Sequence, residues 1–164
     1  MVNENNNIVI KIASEKDISL ILQFIKDLAN YEKLLNEVVA TEESLKETLF
    51  GETSYAKVLL AYYENNPCGF ALYFYNYSTF LSLPGIYLED LYISPEYRNK
   101  GIGKKLLKYI ANIAVSNNFG RLEWSVLDWN KPAINFYNKI GAKPKHKWIT
   151  YQLSGPNLFK LAKE

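Results

Sequence analysis

Apolar residues recur along this chain at two periods, one suited to strands and one to helices. Ile8 to Ala13 reads I-V-I-K-I-A, a short strand. Ser14 with Asp17 three residues on is a helix-start signal. Ile18, Ile21, Ile25 and Leu28 follow on one helical face, predicting a helix that ends near Tyr31–Leu34. A second helix is predicted from Thr41 to Gly51, with Leu45 and Leu49 inward. Ala56–Tyr63 and Gly69–Tyr77 flank E-N-N-P-C, a turn by composition, and read as a hairpin. Ile86–Ile93 (I-Y-L-E-D-L-Y-I) is a further strand. The loop S-P-E-Y-R-N-K-G-I-G then leads into a helix with Ile102, Leu106, Ile110 and Ile113 inward, ending near Asn118–Gly120. Strand Arg121–Leu127 and helix Lys131–Ile140 come next, with Asn130 as cap and Gly141 just past the end. Trp148–Ser154 is predicted as a last strand and Pro156–Lys163 as a short helix.

This order is α/β (α+β), with hairpins early and strand–helix alternation late. At 164 residues the chain fits one domain, residues 8–164, preceded by an unstructured polar tail, residues 1–7. A net charge of +2 provides no global field for nucleic acid or membrane. The single cysteine, Cys68, allows neither an internal disulfide nor a cysteine-based zinc cluster, and no metal is expected. No signal-peptide pattern and no apolar run of about 18 residues occur, so a cytoplasmic protein is expected.

Three segments could carry chemistry. Arg98-Asn99-Lys100-Gly101-Ile102-Gly103-Lys104 lies between a strand and an amphipathic helix. A helix start leaves backbone N–H groups unpaired and positively polarised, and glycine lets that backbone approach an anion, so the segment suits phosphate. Arg98, Lys100, Lys104, Lys105 and Lys108 add cationic charge. A two-glycine pattern is equally met in a loop that needs glycine for its turn, beside a solvated lysine face. Neither a P-loop nor a dinucleotide fingerprint is present. In the strand before it, Glu89 and Asp90 interrupt apolar residues, either as hydrated strand-end groups or as carboxylates put to use. In W-S-V-L-D-W-N-K-P-A-I-N-F-Y-N-K-I-G-A, Ala133, Tyr137 and Ile140 share a helical face. Read alone, Tyr137, Trp124 and Trp129 are packing residues. Cys68 and the lone His146 have no chemical partners at useful spacing.

Taken in order, the strand with E-D, R-x-x-G-x-G-K into a helix, then W-N-x-P-A and a helix ending F-Y-x-x-x-G-A resemble the GNAT acyltransferase superfamily. Phe24–Glu32 (F-I-K-D-L-A-N-Y-E), Tyr87–Asp90 (Y-L-E-D) and Leu127–Asn130 (L-D-W-N) look like the diamine N-acetyltransferases, which include the spermidine/spermine and thialysine enzymes.

The resemblance implies a mixed, mostly antiparallel seven-stranded sheet, splayed in the middle, with helices on both faces. It implies acetyl-CoA as co-substrate, a primary amine as acceptor and a homodimer. By position, Leu91, Tyr92 and Ile93 would bind the pantetheine arm through their backbones. Arg98, Asn99, Lys100, Gly101, Ile102, Gly103 and Lys104 would hold the pyrophosphate, and Asn130, Lys131, Pro132 and Ala133 would line the cofactor's other side. Tyr137 would touch the cofactor and protonate its leaving thiolate. Glu89 would act as the base, directly or through water, and Tyr31, Glu32, Glu89, Asp90, Trp124 and Ser125 would border the amine. One departure bears on the acceptor. Where polyamine-acetylating members carry an acidic residue, this chain has Lys143-Pro144-Lys145-His146-Lys147, so a compact or amino-acid-like amine such as thialysine or lysine is expected rather than spermine. A protein N-terminus, an aminoglycoside or another amino acid remains as an alternative acceptor. A non-enzymatic module binding nucleic-acid phosphates remains as an alternative of another class.

Overall fold

The computed structural model describes residues 7–164. The predicted tail falls outside the described residues apart from Asn7, whose Nδ2 donates to Glu64 Oε1 at 2.8 Å. The described chain comprises two compact units, one ending at Ser125 and the other running from Val126 to Glu164.

In the first unit β1 (Ile8–Ile12), β2 (Lys57–Tyr63), β3 (Asn66–Ser78), β4 (Leu83–Ile93) and β5 (Leu122–Trp124) form one sheet in chain order. All neighbours are antiparallel except β4 and β5, which run parallel. A parallel pair needs a crossover, here supplied by α3 (Ile102–Ser116). The expected seven strands are therefore corrected to five among the described residues. Trp148–Ser154 forms no strand. It has no ladder partner, and Trp148, Ile149 and Tyr151 are at least 74% exposed, so nothing repays ordering the segment as a strand.

Both faces of the sheet are buried. Val58, Leu60, Phe70 and Tyr92 pack under α1 (Ile18–Glu32) and α2 (Glu42–Phe50), which contribute Ile18, Ile21, Leu22, Phe24, Leu45 and Leu49. Leu59, Ala61 and Ala71, of opposite parity on their strands, are fully buried too. Helix α3 lies against β1, β2 and β4 with Ile102, Leu106, Leu107 and Ile110 inward. Its Lys105 Nζ donates to the Ile8 carbonyl at 2.6 Å, tying it to β1.

Local signals set the element ends. The Ser14 amide and hydroxyl both donate to Asp17 Oδ2 at 2.8 Å, but the first turn is a 3₁₀ turn and α1 proper starts at Ile18. Lys33, left-handed at φ 64°, ends α1 directly after Tyr31 and Glu32. Thr41 and Ser44 cap α2 reciprocally, each side chain accepting from the other's amide. The β2–β3 turn is tighter than its composition suggested. Only Glu64 and Asn65 turn, at φ 49° and 67°, and Asn66, Pro67 and Cys68 already belong to β3. Positive φ at both central residues is what a two-residue hairpin turn requires.

In the second unit, α4 (Lys131–Lys139) begins as expected, with the Asn130 side chain accepting from the Ala133 amide at 3.3 Å. Gly141, at φ 87°, follows the end of α4, and the Ala142 amide closes back on the Tyr137 carbonyl at 3.1 Å. Helix α5 (Gly155–Leu161) completes the chain.

Candidate active site

The site in the first unit grows out of β4. This strand pairs with β3 along its whole length but with β5 only at Ile86–Leu88, so past Leu88 its other edge has no strand partner among the described residues. A bulge sits where the partnership ends. Tyr73 faces Leu88 and Leu72 faces Asp90, leaving Glu89 as the extra residue. The bulge resets which backbone groups face outward. The Ile86 amide points to β5, donating to the Arg121 carbonyl, whereas beyond the bulge the Ser94 amide donates to the Cys68 carbonyl on β3. Alternation from Ser94 turns the Tyr92 and Asp90 backbones toward β3 and those of Leu91 and Ile93 toward the open edge. Leu91 and Ile93 thus present backbone groups to the open edge, and Tyr92 presents its own to β3. Its backbone faces Phe70 and its ring is buried against Phe24.

The open edge runs into the α3 N-terminus. Asn99 (φ 63°) and Gly101 (φ 82°) bend the loop through left-handed conformations, and no side chain caps the helix. The first amide to find a backbone acceptor is that of Lys105, bonded to the Gly101 carbonyl at 3.0 Å. Among the described residues the amides of Asn99 through Lys104 have no backbone acceptor. A Cβ added at Gly101 would meet nothing within 4 Å, and one at Gly103 only Ile93 Cγ1 at 3.9 Å. Six unpaired N–H groups beside open space at a positively polarised helix end fit the diphosphate of coenzyme A.

The cations around this loop do not all serve it. Arg98 Nε donates to the Ile93 carbonyl at 2.9 Å, and its guanidinium lies 4.7 Å from the Tyr31 ring centre and 5.8 Å from that of Tyr92. Lys100 Nζ lies 4.5 Å from the ring of Tyr63 and 5.2 Å from that of Tyr97. Together with Lys105 on Ile8, three of the five cations hold the fold together. The loop amides, rather than these three side chains, are the groups left available to meet an anion.

On the other side of the bulge stand carboxylates. Asp90 is half-buried, and loss of water, with Glu89 and Glu32 beside it, pushes its pKa up to about 7. Burial also raises that of Glu32, at the end of α1. No cation or hydrogen-bond donor among the described residues partners Asp90. Glu89 is exposed. An alkylammonium brought here would replace the missing countercharge. Sequence reasoning missed Tyr87, whose hydroxyl shares a 2.7 Å hydrogen bond with Ser125 Oγ just where β4 and β5 part, and whose ring lies 5.2 Å from Phe74. Its two-residue spacing from Glu89 was the available signal. Trp124 is the last residue paired with β4.

Asn130, Lys131, Pro132, Ala133 and Tyr137 belong to the second unit. There Asn130 caps α4, Lys131 Nζ donates to the Asp128 carbonyl at 2.8 Å, and the Tyr137 ring lies 5.4 Å from that of Phe136. Burial raises the Tyr137 pKa above its usual value, keeping the phenol protonated at neutral pH.

Comparison with known proteins agrees with this geometry. Residues 25–142 match the Acetyltransferase (GNAT) family. The chain is 39% identical over 166 residues to the thialysine N-epsilon-acetyltransferase of Bos taurus, covering 94% of this chain and 97% of the relative. It is 31% identical over 194 residues to the L-ornithine N5-acetyltransferase NATA1 of Arabidopsis thaliana, covering 91% and 85%. An integron cassette protein from the mobile metagenome of V. cholerae superposes with a TM-score of 0.80 at 32% identity, over 96% of this chain and 99% of that one. An aminoglycoside acetyltransferase from an uncultured soil sample shares the fold at a TM-score of 0.76 and 21% identity, over 92% and 99%. The sheet that opens past Leu88, the uncapped start of α3 and the ordered motifs from Phe24 to Ala142 thus converge on one conclusion: the chain belongs to the GNAT acetyltransferase family and is an acyltransferase.

Proposed function

We propose that this enzyme transfers an acetyl group from acetyl-CoA to the primary amine of a small, amino-acid-like cation of the thialysine, lysine or ornithine kind. The run of unpaired amides from Asn99 to Lys104, at the end of an open strand edge, carries the reading. The thialysine and ornithine activities of the relatives support the acceptor class.

Acetyl-CoA supplies an activated carbonyl and a thiolate leaving group. The chain's own residues supply the rest. The amides of Asn99 to Lys104 hold the diphosphate and Leu91 and Ile93 hydrogen-bond the pantetheine arm through their backbones; Asn130 to Ala133, in the second unit, are the further cofactor contacts that the family resemblance implies. The carboxylates of Glu32, Glu89 and Asp90 attract the ammonium, with Tyr31, Trp124 and Ser125 bordering it. An alkylammonium of pKa near ~10.4 must lose a proton before its nitrogen can attack. The Glu89–Asp90 pair accepts it, directly or through water, and Asp90 is the member whose proton affinity matches neutral pH. A backbone N–H on the open edge of β4 stabilises the carbonyl oxygen as its charge develops. Tyr137, kept protonated by burial, gives a proton to the departing sulfur. In the balance the nitrogen loses two protons, one to the carboxylate pair before attack and one as the carbon–sulfur bond breaks; one proton ends on the thiol by way of Tyr137, which is reprotonated, and the other leaves to solvent. A homodimer and a cytoplasmic setting complete the proposal, the former checked by light scattering.

The test is thiol release from acetyl-CoA across a panel of amines, with Tyr137→Phe as control. The expected result is turnover of lysine-like amines, and in the variant a kcat lower by about 10²–10⁴-fold with near-normal CoA affinity. Unchanged turnover in the variant removes Tyr137 from the mechanism. No turnover of any amine overturns the proposal.

A further inference from the structure

Arg98 departs from what its place in the glycine loop suggests, and its contacts say what it does instead. Its Nε–H bond to the Ile93 carbonyl fixes the guanidinium plane at the end of β4. That plane meets two tyrosines of unequal freedom. Tyr92 is 7% exposed and tilted against Phe24 in the core, so it cannot yield. Tyr31 is only half-buried and lies on the last turn of α1, one residue before Glu32 and two before the left-handed Lys33 that ends the helix. The contact with Tyr31, at 4.7 Å, is also the closer one. Arg98 therefore joins the end of β4, through the buried Tyr92, to the half-buried last turn of α1, and the wall it fixes is the one bearing Glu32.

We propose that Arg98 is a positioning residue for the amine acceptor, holding Tyr31 and through it Glu32 against the end of β4, and not a ligand of the cofactor's phosphates. The inference rests on the acetyltransferase reading above and deepens its acceptor side. The phosphate role does not need this side chain, because the amides of Asn99 to Lys104 already offer six donors. A lysine cannot replace it. An ammonium lacks both the planar face that stacks on a ring and the Nε–H directed back along the stem.

The test uses the full chain with Arg98→Lys, Tyr31→Leu, the double variant and Tyr31→Phe. Calorimetry measures the CoA Kd, and steady-state rates separate the acceptor KM from kcat. Arg98→Lys keeps the charge and is expected to raise the acceptor KM about 3- to 20-fold while leaving the CoA Kd within about twofold. Tyr31→Leu is expected to do the same, the double variant to be no worse than either single one, and Tyr31→Phe, which keeps the ring, to raise the acceptor KM less than Tyr31→Leu does. Loss of thermal stability alone, without the selective KM change, makes the contact merely structural and overturns the inference. So does a CoA Kd weakened tenfold in Arg98→Lys, or additive effects in the double variant. The CoA titration needs no turnover, so it tests the phosphate half even if the parent acetylates none of the amines. That last result overturns the proposed function and, with it, the acceptor half of this inference.

Discussion

Asp90 and Glu89 are sequence neighbours in different chemical settings, and the bulge between them and Leu88 creates the difference. Glu89 is left over from the ladder and exposed, while Asp90 re-enters it opposite Leu72 and is half-buried beside two other carboxylates. Its folded pKa of about 7 stands above the ordinary aspartate value of 3.8. The folded protein thus holds this proton more tightly than the unfolded chain, so stability falls as pH rises from about 4 to about 7 and the full cost remains above that. Asp90→Asn removes the cost. The variant is expected to melt a few degrees above the parent at pH 8 and level with it near pH 4, by calorimetry across that range. Its kcat/KM is expected to fall by about 10²-fold, and the acidic limb near pH 7 in the parent profile to vanish. A variant no more stable than the parent at pH 8 would show that the carboxylate carries no such burden.

At the scale of elements, the start of α3 shows how a stability rule and a binding site can conflict. Gly103 lies in the first turn with helical room for a side chain, since a Cβ there touches only Ile93 Cγ1 at 3.9 Å. Alanine favours a helix over glycine by about 1 kcal/mol. Gly103→Ala is therefore expected to stabilise the fold by about 0.5–1 kcal/mol in urea titration while weakening CoA binding at least tenfold, because the methyl projects into the proposed diphosphate site. Unaltered CoA affinity would remove the α3 N-terminus from the cofactor site. Sequence periodicity found α3 itself, as it found α1, because Ile102, Leu106 and Ile110 fill one face. Capping chemistry found the start of α4 at Asn130. The bulge at Glu89 was not legible, since register is decided by the partner strand and no residue in Y-L-E-D-L announces it. The hairpin turn was overestimated for a related reason. Composition marks turn-prone residues, but only Glu64 and Asn65 take left-handed geometry, and Pro67 is accommodated where the ladder between Ala61 and Tyr62 slips. The last expected strand, Trp148–Ser154, had the right apolar content and no partner. The candidate site was read from residue types in order. The direction of each side chain was not, as Arg98 on Tyr31 and Lys100 on Tyr63 demonstrate.

Over the whole molecule, a net charge of +2 conceals a division of labour. In the first unit the proposed acceptor carboxylates Glu32, Glu89 and Asp90 are anionic and the α3 N-terminus offers positively polarised amides; in the second unit the segment from Lys143 to Lys147 carries three lysines around His146. An amine with a single ammonium at the reacting end and a carboxylate elsewhere suits this pattern. A spermidine, cationic along its length, does not. The kcat/KM for thialysine or lysine is therefore expected to exceed that for spermidine by at least about tenfold at low ionic strength, each tenfold corresponding to ~1.4 kcal/mol in the transition state. If the discrimination comes from charge on exposed lysines, it must also be screened. At 0.1 M salt the Debye length is roughly 10 Å, so the ratio is expected to shrink as salt rises, mainly through an improved KM for spermidine. Reversing Lys143 and Lys147 to Glu is expected to move the ratio the same way at low salt, with the CoA Kd unchanged. A clear preference for spermidine in the parent chain, at any ionic strength, would show that the basic segment does not govern acceptor choice.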